Sequence, residues 1–421
     1  MATSSNAAAR VTPFAALRFR DFRLLWFGQI VSTAGTTMRN VAVDYHVYTL
    51  AERSGAIQPA LALGLIGLAR VLAIILVAPL SGVLADRADR RMMIVYTSIV
   101  ALFSSAVLAI ATEFQFVSIW IIYAMVCLGA LASAFEMPAR QAIVPNLVSA
   151  DALPNALSLN IIAWQLASVV GPSLAGLMIA HLDIAPLYWF DSASFLAVVV
   201  AGLMMQPRQV ATTSARRPGI QDALEGLRFV FRNRLIAATM LLDFFATFFG
   251  ASRALMPLFA DRVLHVGPLE LGWMYSAPAV GAVLAAGLLS LVTFRRQGPI
   301  LLAAVALFGV FVAMFAVSRW LPLTLFALAG TGAADTLSMV IRGTIRQLMT
   351  PDELRGRMVA VNMLFFAGGP QLGEFQAGVL ASLLGGPLAV TIGGLLCVVV
   401  VIATAVRVPE LREYDGPAPS T

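Results

Sequence analysis

The sequence predicts an all-α integral membrane protein with twelve transmembrane helices in two six-helix, pseudo-symmetric halves. Three observations lead to this fold class. Apolar residues make up 60% of the 421 residues and charged residues only 12%, whereas soluble domains are about 25% charged. Twelve apolar runs are long enough to cross a bilayer, since one span needs about 20 residues. Short motifs of the first half return about 200 residues later, as in proteins built from internal repeats.

The apolar runs define the domain organisation. They fall near 24–50, 60–84, 93–112, 116–137, 155–180, 185–205, 235–260, 270–294, 299–318, 321–341, 357–384 and 386–407. We predict a cytoplasmic N-terminal tail at 1–23, an N-terminal half at 24–205, a cytoplasmic linker at 206–234, a C-terminal half at 235–407 and a cytoplasmic tail at 408–421. Within the linker, Ile220 to Phe231 has the pattern of an amphipathic helix lying at the membrane surface. A solvated connector is the alternative.

The arginine distribution orients the chain. All 28 basic residues are Arg, and with a cytoplasmic N-terminus 22 of them fall in cytoplasmic segments, including a predicted loop at 342–357. Three fall on the opposite side and three within spans. Positive charge collects on the cytoplasmic side of membrane proteins. The sequence therefore predicts a multi-pass protein of a bacterial cytoplasmic (inner) membrane with both termini cytoplasmic, and the net charge of +6 does not call for a nucleic-acid partner.

Paired motifs support the repeat. Leu63-Gly64 opens the second run and Leu271-Gly272 the eighth. Gly171-Pro172 lies in the fifth run and Gly369-Pro370 in the eleventh. The offsets of 208 and 198 residues place the halves in the same orientation, an arrangement found in the major facilitator superfamily.

The segment after the second run carries the sharpest motif, Gly82-Val-Leu-Ala-Asp86-Arg87-Ala-Asp89-Arg90-Arg91. It resembles the loop 2–3 signature G-x-L-A-D-R-x-G-R-R of the major facilitator superfamily. Gly lets two helices approach closely, and a carboxylate at a helix end can pair with Arg or with a helix N-terminus. The resemblance implies a cytoplasmic gate that joins the halves and favours the outward-open state. Asp89 departs from the signature, and a basic loop that only sets topology is the alternative.

The fifth run carries Gly171, Pro172 and Gly176. These residues resemble the superfamily motif associated with antiporters, in which Pro kinks the helix and small residues allow tight packing. Packing alone is the alternative. The whole layout is similar to the enterobactin-exporter-like and macrolide-efflux-like transporters, on the segments Asp21-Phe22-Arg23, Val41-Ala42-Val43, Ser252-Arg253-Ala254-Leu255 and Leu354-Arg355-Gly356-Arg357. That resemblance implies proton-linked export of an amphipathic small molecule, such as a siderophore or a drug.

Ionisable residues inside the spans are candidate site residues, because charge in a bilayer is costly unless it is paired or hydrated. Carboxylates in a poorly hydrated cavity can take up and release protons near neutral pH, so the proton-coupling candidates are Asp44, Asp243, Asp335 and Glu374. The substrate-cavity candidates are Arg39, Asn40, Tyr45, His46, Arg70, Trp164, Arg253 and Phe366. Internal salt bridges that hold helices together are the alternative. Asp191 and Glu136 lie nearer to span ends, where we expect them at the membrane interface.

Motifs of other function classes are missing from the sequence. It contains no G-x-x-x-x-G-K-[ST], no H-E-x-x-H, no G-x-S-x-G and no Cys/His metal cluster. We therefore predict no enzyme, no metal and no cofactor, with the proton gradient as driving force. The predicted function is a proton-coupled antiporter that exports by alternating access, acting as a monomer on a small molecule within a lipid bilayer. A proton-coupled importer or facilitator, and a non-transporting membrane sensor or scaffold, are the alternatives.

Overall fold

A computed structural model describes residues 14–87, 89–206, 220–292 and 294–416, without the side chains of residues 78–87, 220–224, 353, 360 and 364. Within these ranges the chain forms fifteen α-helices, four short 3-10 helices and no strand. The α-helices are α1 Arg20–Ser54, α2 Pro59–Arg87, α3 Arg90–Glu113, α4 Ile119–Leu147, α5 Leu153–His181, α6 Ala185–Met204, α7 Ile220–Arg232, α8 Arg234–Phe249, α9 Met256–Arg262, α10 Pro268–Leu289, α11 Gln297–Val317, α12 Leu321–Met349, α13 Arg355–Leu384, α14 Gly386–Arg407 and α15 Pro409–Arg412.

Ten helical segments of the described ranges are long and apolar enough to cross a membrane, with α8 and α9 counted as one. The two predicted runs outside this set, 24–50 and 357–384, fold as α1 and α13. These helices are 35 and 30 residues long, but polar residues such as Arg39, Asp44 and Glu374 interrupt their apolar sequence. The chain is thus an all-helical, multi-pass membrane protein.

Helix packing follows one pattern twice. In the first group, α1 to α6, α1 lies against α4, α5 and α6, while α4 contacts α2 and α3, and α3 contacts α6. In the second group, α8 to α14, α8 lies against α12, α13 and α14, while α12 contacts α10 and α11, and α11 contacts α14. Each of these contacts in the second group thus has a counterpart in the first, with α8 in the place of α1.

The two groups meet along a seam formed by α2 with α13 and by α5 with α10. Glycines face each other in both contacts. A Cβ on Gly64 would lie 2.8 Å from the Cα of Gly378, and a Cβ on Gly176 would lie 2.8 Å from the Cα of Gly272. All four glycines lie within two turns of a helix end, so the groups are closed at the end of the bundle that carries the loops 55–58, 182–184 and 263–267.

The seventh predicted run, 235–260, lies in one candidate span, Arg234–Arg262, but its helix is interrupted. α8 ends at Phe249, a 3-10 turn spans Arg253–Leu255, and α9 begins at Met256. Gly250 caps α8, and Pro257 takes the second position of α9, where its missing N–H removes no helical hydrogen bond. The break places Arg253 beside α10, with its guanidinium 5.5 Å from the centre of the Tyr275 ring.

The predicted cytoplasmic loop at 342–357 is also wrong in its first part. α12 continues to Met349, and Arg342 and Arg346 are only 3% and 6% exposed. The predicted run ends at the first of these arginines because hydropathy treats every arginine as exposed. Their burial depends on partners elsewhere in the chain. Two of the 22 arginines counted as cytoplasmic are therefore inside the bundle.

Candidate functional site

Polar residues of α1 point to two sides of the helix, as their spacing predicts. Arg39 and His46, seven residues apart, face α6. The Nε atom of Arg39 lies 3.4 Å from Oδ2 of Asp191, and a ring nitrogen of His46 is 3.2 Å from the Tyr188 hydroxyl. Asn40 faces α2 instead, where its Oδ1 accepts a hydrogen bond from Arg70 at 3.3 Å.

The Arg39–Asp191 pair is an internal ion pair of the first group. Two serines of α3 complete it: Arg39 donates to Ser105 at 3.1 Å and to Ser104 at 3.3 Å, and Ser105 donates to Asp191. Asp191 is 0% exposed, so our expectation that it lies at the membrane interface missed its role as the partner of Arg39. This arrangement is the internal salt bridge that the sequence left open as an alternative. The other residue expected at the interface, Glu136, pairs with Arg140 one turn along α4.

Six residues of five helical elements meet at the seam, and we call them the seam cluster: Asn40, Asp44, Arg70, Arg253, Tyr275 and Glu374. Tyr275 of α10 donates a hydrogen bond to Oδ2 of Asp44 at 2.8 Å. Arg70 of α2 lies 3.5 Å from Oε2 of Glu374 in α13, an ion-pair distance without hydrogen-bond geometry. Both contacts join the first group to the second.

The two carboxylates and Tyr275 of the seam cluster are buried, Asn40 and Arg70 are partly buried, and Arg253 is exposed. Asp44 is 2% exposed and Glu374 6% exposed. Arg70 pairs with Glu374, whereas Arg253 lies over the Tyr275 ring, so two arginines and two carboxylates balance in charge. Oδ1 of Asp44 has no hydrogen-bond partner among the described residues. Buried ions are tolerated when they are paired. The sequence predicts five of these residues as candidates and misses Tyr275, for which it offers no signal beyond an aromatic residue in an apolar run.

A second charged cluster lies within the second group. Nη1 of Arg342 is 2.7 Å from Oδ1 of Asp243, and Nη2 is 3.5 Å from Oδ1 of Asp335. Asp243 is 5% exposed, whereas about half of the Asp335 side chain is accessible. Arg346 donates to the Arg342 carbonyl at 3.1 Å and to Asn362. The sequence predicted both acids and missed both arginines, although Asp335 and Arg342 share a helix face at a spacing of seven.

The remaining cavity candidates are not part of either cluster. Trp164 and Phe366 are 58% and 57% exposed, on α5 and α13. Tyr45 packs at the edge of the main apolar core. Phe365, which follows Asn362 by one helical turn, packs edge-on against Phe244 beside Asp243, with the ring centres 5.8 Å apart.

Gly171 and Pro172 pack α5 onto α1. Thr37 of α1 donates to the Ala167 carbonyl at 3.0 Å, and its hydroxyl occupies the space that a Cβ on Gly171 would need. In the second group, the hydroxyl of Thr247 would lie 2.7 Å from a Cβ on Gly369. In both Gly-Pro pairs, a threonine side chain of the neighbouring helix therefore packs against the glycine. Gly176 instead lies in the seam.

The loop motif after α2 is described only in part: of Gly82, Asp86 and Arg87 the structure describes the helical backbone alone. Asp89 accepts a hydrogen bond from the Arg91 amide at 2.9 Å and caps α3, which gives this departure from the signature a local function. Arg91 donates to the carbonyls of Gly202 and Leu203, at 2.6 and 2.8 Å, and so caps α6. Arg90 donates to the Ala142 carbonyl of α4 at 3.0 Å. Both arginines thus contact the first group.

Metal binding finds no support in the described part of the chain, where no three His, Cys, Asp or Glu side chains are grouped to hold an ion. Both cysteines are free, with Cys397 buried.

Comparison with known proteins assigns the family. The model of the family described as transmembrane secretion effector matches residues 11–420. The chain is 29% identical over 411 residues to the multidrug efflux pump Tap of Mycolicibacterium fortuitum, covering 93% of this chain and 96% of that protein. It is 24% identical over 401 residues to the enterobactin exporter EntS of Citrobacter koseri, covering 94% of each.

Solved structures agree on the fold. A bacterial homologue of the human lysosomal transporter Spinster, in an inward-facing and unoccupied conformation, superposes with a TM-score of 0.72 at 14% identity, over 96% of this chain and 99% of that one. A peptide transporter, POT, gives a TM-score of 0.71 at 12% identity, over 93% and 94% of the two chains. The chain belongs to the transmembrane secretion effector family of the major facilitator superfamily, and it is a membrane transporter rather than an enzyme.

Proposed function

We propose that the chain is a twelve-span exporter made of two six-helix halves, 24–205 and 235–407, joined by the linker 206–234. The repeated packing of α1–α6 and α8–α14 supports the two halves, as do the matched Thr37–Gly171 and Thr247–Gly369 contacts. α1 and α13 would complete the twelve spans, since their polar residues find partners inside the bundle. Without Arg342 and Arg346, 20 arginines against 3 still favour cytoplasmic termini.

Export is supported by the relatives, which are named as an efflux pump and as siderophore exporters. The cargo we propose is an amphipathic small molecule, drug or siderophore, taken by a monomer in the bacterial inner membrane. No cofactor is required, because the proton gradient would supply the energy. The arginine distribution assigns the closed end of the seam to the outside, so the seam would act as the outer gate.

The observation that carries the proposal is the Arg70–Glu374 pair across the seam. With the seam closed, Arg70 stabilises the charged carboxylate from 3.5 Å. When α2 and α13 separate, Glu374 loses the cation that balances its charge. Glu374 would take up a proton while the outer gate is open and release it after closure. Protons then move inward as the substrate moves outward, which is antiport.

The four candidate acids would therefore have different roles. Asp44 and Glu374 have their partners across the seam, so their surroundings change when it opens, and we assign the coupling to them. Asp243 has its cation within the second group and would serve to balance Arg342. Asp335 is half-accessible and could receive a cationic part of the substrate. Arg39, held by Asp191, would stabilise the first half.

Transport by reconstituted protein tests this proposal. Liposomes preloaded with ethidium or enterobactin are diluted into buffer at pH 6.0 or 7.5, and release is followed with time. We expect acid outside to accelerate release by the wild type, and Glu374→Gln to remove this acceleration. Asp352→Asn, which removes an exposed carboxylate paired with Arg355 at 2.9 Å, is the matched control and should respond like the wild type.

The outcomes separate the alternatives. Accumulation of probe along the proton gradient would indicate an importer. Release that ignores external pH would indicate a facilitator, and the absence of transport with both probes would favour a sensor or scaffold. An acceleration by acid that survives in Glu374→Gln, Asp44→Asn and the double variant would refute the assigned coupling residues.

A further inference from the structure

Helix α7 has three distinct sides along its described residues. Gly226 and Val230, one turn apart, are buried, Val230 completely. Leu227 and Phe231, also one turn apart, are 38% and 50% exposed. Next around the helix come the exposed residues Arg228 and Arg232. Because successive helix residues are separated by about 100°, an apolar strip lies between the buried side and the basic strip.

The buried side fixes α7 to the start of α13. Val230 packs in a cluster with Ile236, Met240, Met358 and Val361. Glu225 forms an ion pair with Arg357 at 2.8 Å, and a Cβ on Gly226 would lie 3.0 Å from the Cβ of Arg357. These contacts set the rotation of α7 and direct Leu227, Phe231 and the two arginines away from the protein.

The end of α7 lies where the chain enters the membrane. α8 begins at Arg234, two residues after α7 ends, and the candidate span begins at the same residue. Asn233 stops α7 and caps α8, accepting hydrogen bonds from the amides of Leu235 and Ile236 at 3.1 and 3.2 Å. A membrane span that begins at Arg234 would place the outward side of α7 at the depth of the lipid headgroups.

The basic strip has no acidic partner among the side chains that the structure describes. No carboxylate of the described residues pairs with Arg228 or Arg232, since Glu225 points to Arg357. Arginine binds phosphate oxygens well, and an exposed apolar strip beside basic residues is the pattern of helices that lie in a membrane surface. We propose that α7 is a binding surface for anionic phospholipid: Arg228 and Arg232 bind headgroup phosphates while Leu227 and Phe231 enter the acyl boundary.

Lipid bound there would hold α7 against the start of α13, the helix that carries Glu374 and Gly378 on the seam. The surface needs neither export nor proton coupling, so it stands independently of the proposed function. Each basic residue near an anionic surface contributes enough to change binding about fivefold, and two contribute up to about 30-fold.

Hydrogen exchange of the full-length protein in nanodiscs tests the proposal. The probe lipids are dioleoyl-phosphatidylcholine alone and a mixture with 30% dioleoyl-phosphatidylglycerol, and the peptide measured spans residues 220–234. We expect phosphatidylglycerol to slow exchange in wild-type α7 several-fold. The variant Arg228→Gln/Arg232→Gln should lose this difference. Arg53→Gln/Arg319→Gln, which removes two exposed arginines at the other end of the bundle, one in the last turn of α1 and one in the loop after α11, should keep it.

Two results from the lipid comparison would overturn the proposal. One is equal exchange of wild-type α7 in the two lipids, and the other is a lipid difference that survives in Arg228→Gln/Arg232→Gln. Inorganic phosphate at 10 mM in phosphatidylcholine nanodiscs is a further arm: protection equal to that by phosphatidylglycerol would mean a site for a soluble anion, and would also overturn it. Native mass spectrometry can count bound phosphatidylglycerol on the wild type and on the two double variants. We expect fewer adducts only on Arg228→Gln/Arg232→Gln, and this measurement does not depend on the stability of α7.

Discussion

The glycine contact between α2 and α13 predicts how the seam responds to one methyl group. A Cβ on Gly64 would lie 2.8 Å from the Cα of Gly378 and 3.1 Å from the Phe375 carbonyl oxygen, whereas ordinary Cβ contacts begin at 3.4 Å. These are backbone atoms, so no side-chain rotation relieves the overlap. Gly64→Ala must push the helices apart, and it therefore strains the closed seam and leaves an open one unaffected.

The size of the effect follows from the cost of overpacking, which is about 1–3 kcal/mol. That cost corresponds to a change of about 5- to 150-fold in the ratio of closed to open molecules. Alanine also favours helix over glycine by roughly 0.5–1 kcal/mol, but residue 64 lies in the helix whether the seam is closed or open, so this gain cancels. Gly343→Ala on α12 is the control, because a Cβ there would meet nothing within 4 Å.

Double electron–electron resonance measures the seam directly. Leu182 at the end of α5 and Leu383 near the end of α13 are 62% and 75% exposed and can be replaced by labelled cysteines, in a background without Cys127 and Cys397. We expect Gly64→Ala to increase the long-distance population, while Gly343→Ala matches the parent. A folded Gly64→Ala protein with the parent's distance distribution would refute the argument from close backbone contact.

Two further predictions concern stability, each measured by thermal unfolding in detergent. Asp243→Ala leaves Arg342 buried with only the half-accessible Asp335 at 3.5 Å, so we expect the free energy of unfolding to fall by about 3 kcal/mol. The double variant Asp243→Leu/Arg342→Met removes both charges and should restore most of this stability. If the losses of the two single variants simply add in the double variant, the buried pair is contradicted. Arg91→Ala removes two hydrogen bonds to the last carbonyls of α6 and should cost about 1–3 kcal/mol, whereas Arg319→Ala, at an exposed loop position, should change little.

Local patterns in the sequence predict much of the helical structure and some of the site. The spacing of seven between Arg39 and His46 places both on the side of α1 that faces α6. The apolar pattern of 220–231 predicts α7. The rule that charge inside a span needs a partner selects Asp44, Arg70 and Glu374, which the structure brings to the seam.

Other features depend on residues far away in the chain and leave no local signal. Arg342 ends an apolar run in the sequence, which predicts the start of a loop. Its partner Asp243 lies in another helix, so the sequence around Arg342 does not predict its burial. Asp191 lies near a span end in the sequence, but its burial follows from Arg39 in α1. Arg91 belongs to a basic loop, and its function as a cap appears only when α3 and α6 are neighbours. Hydropathy cannot predict such pairs because it scores each residue alone.

The polar residues of α1 make this long helix less apolar than the ten candidate spans, but they find partners inside the bundle. Asp44, Tyr48 and Glu52 lie one turn apart on one stripe of α1. Their partners are in α10 and α9: Tyr275 donates to Asp44 at 2.8 Å, Tyr48 donates to Asp261 at 2.5 Å, and Arg262 donates to Glu52 at 2.5 Å. Complementary side chains of the second group thus take the place that lipid takes around an apolar span.

These three contacts do not contribute equally to closing the seam. The outermost, Glu52 with Arg262, is 44% and 50% exposed, and such pairs contribute about 0–1 kcal/mol because water and salt screen them. The innermost, Asp44 with Tyr275, is buried, and it lies in the same cluster as Arg70 and Glu374. Opening must therefore separate the buried carboxylates Asp44 and Glu374 from their partners across the seam. We therefore expect the buried contact to resist opening of the seam more than the surface contact, which could be lost with little consequence.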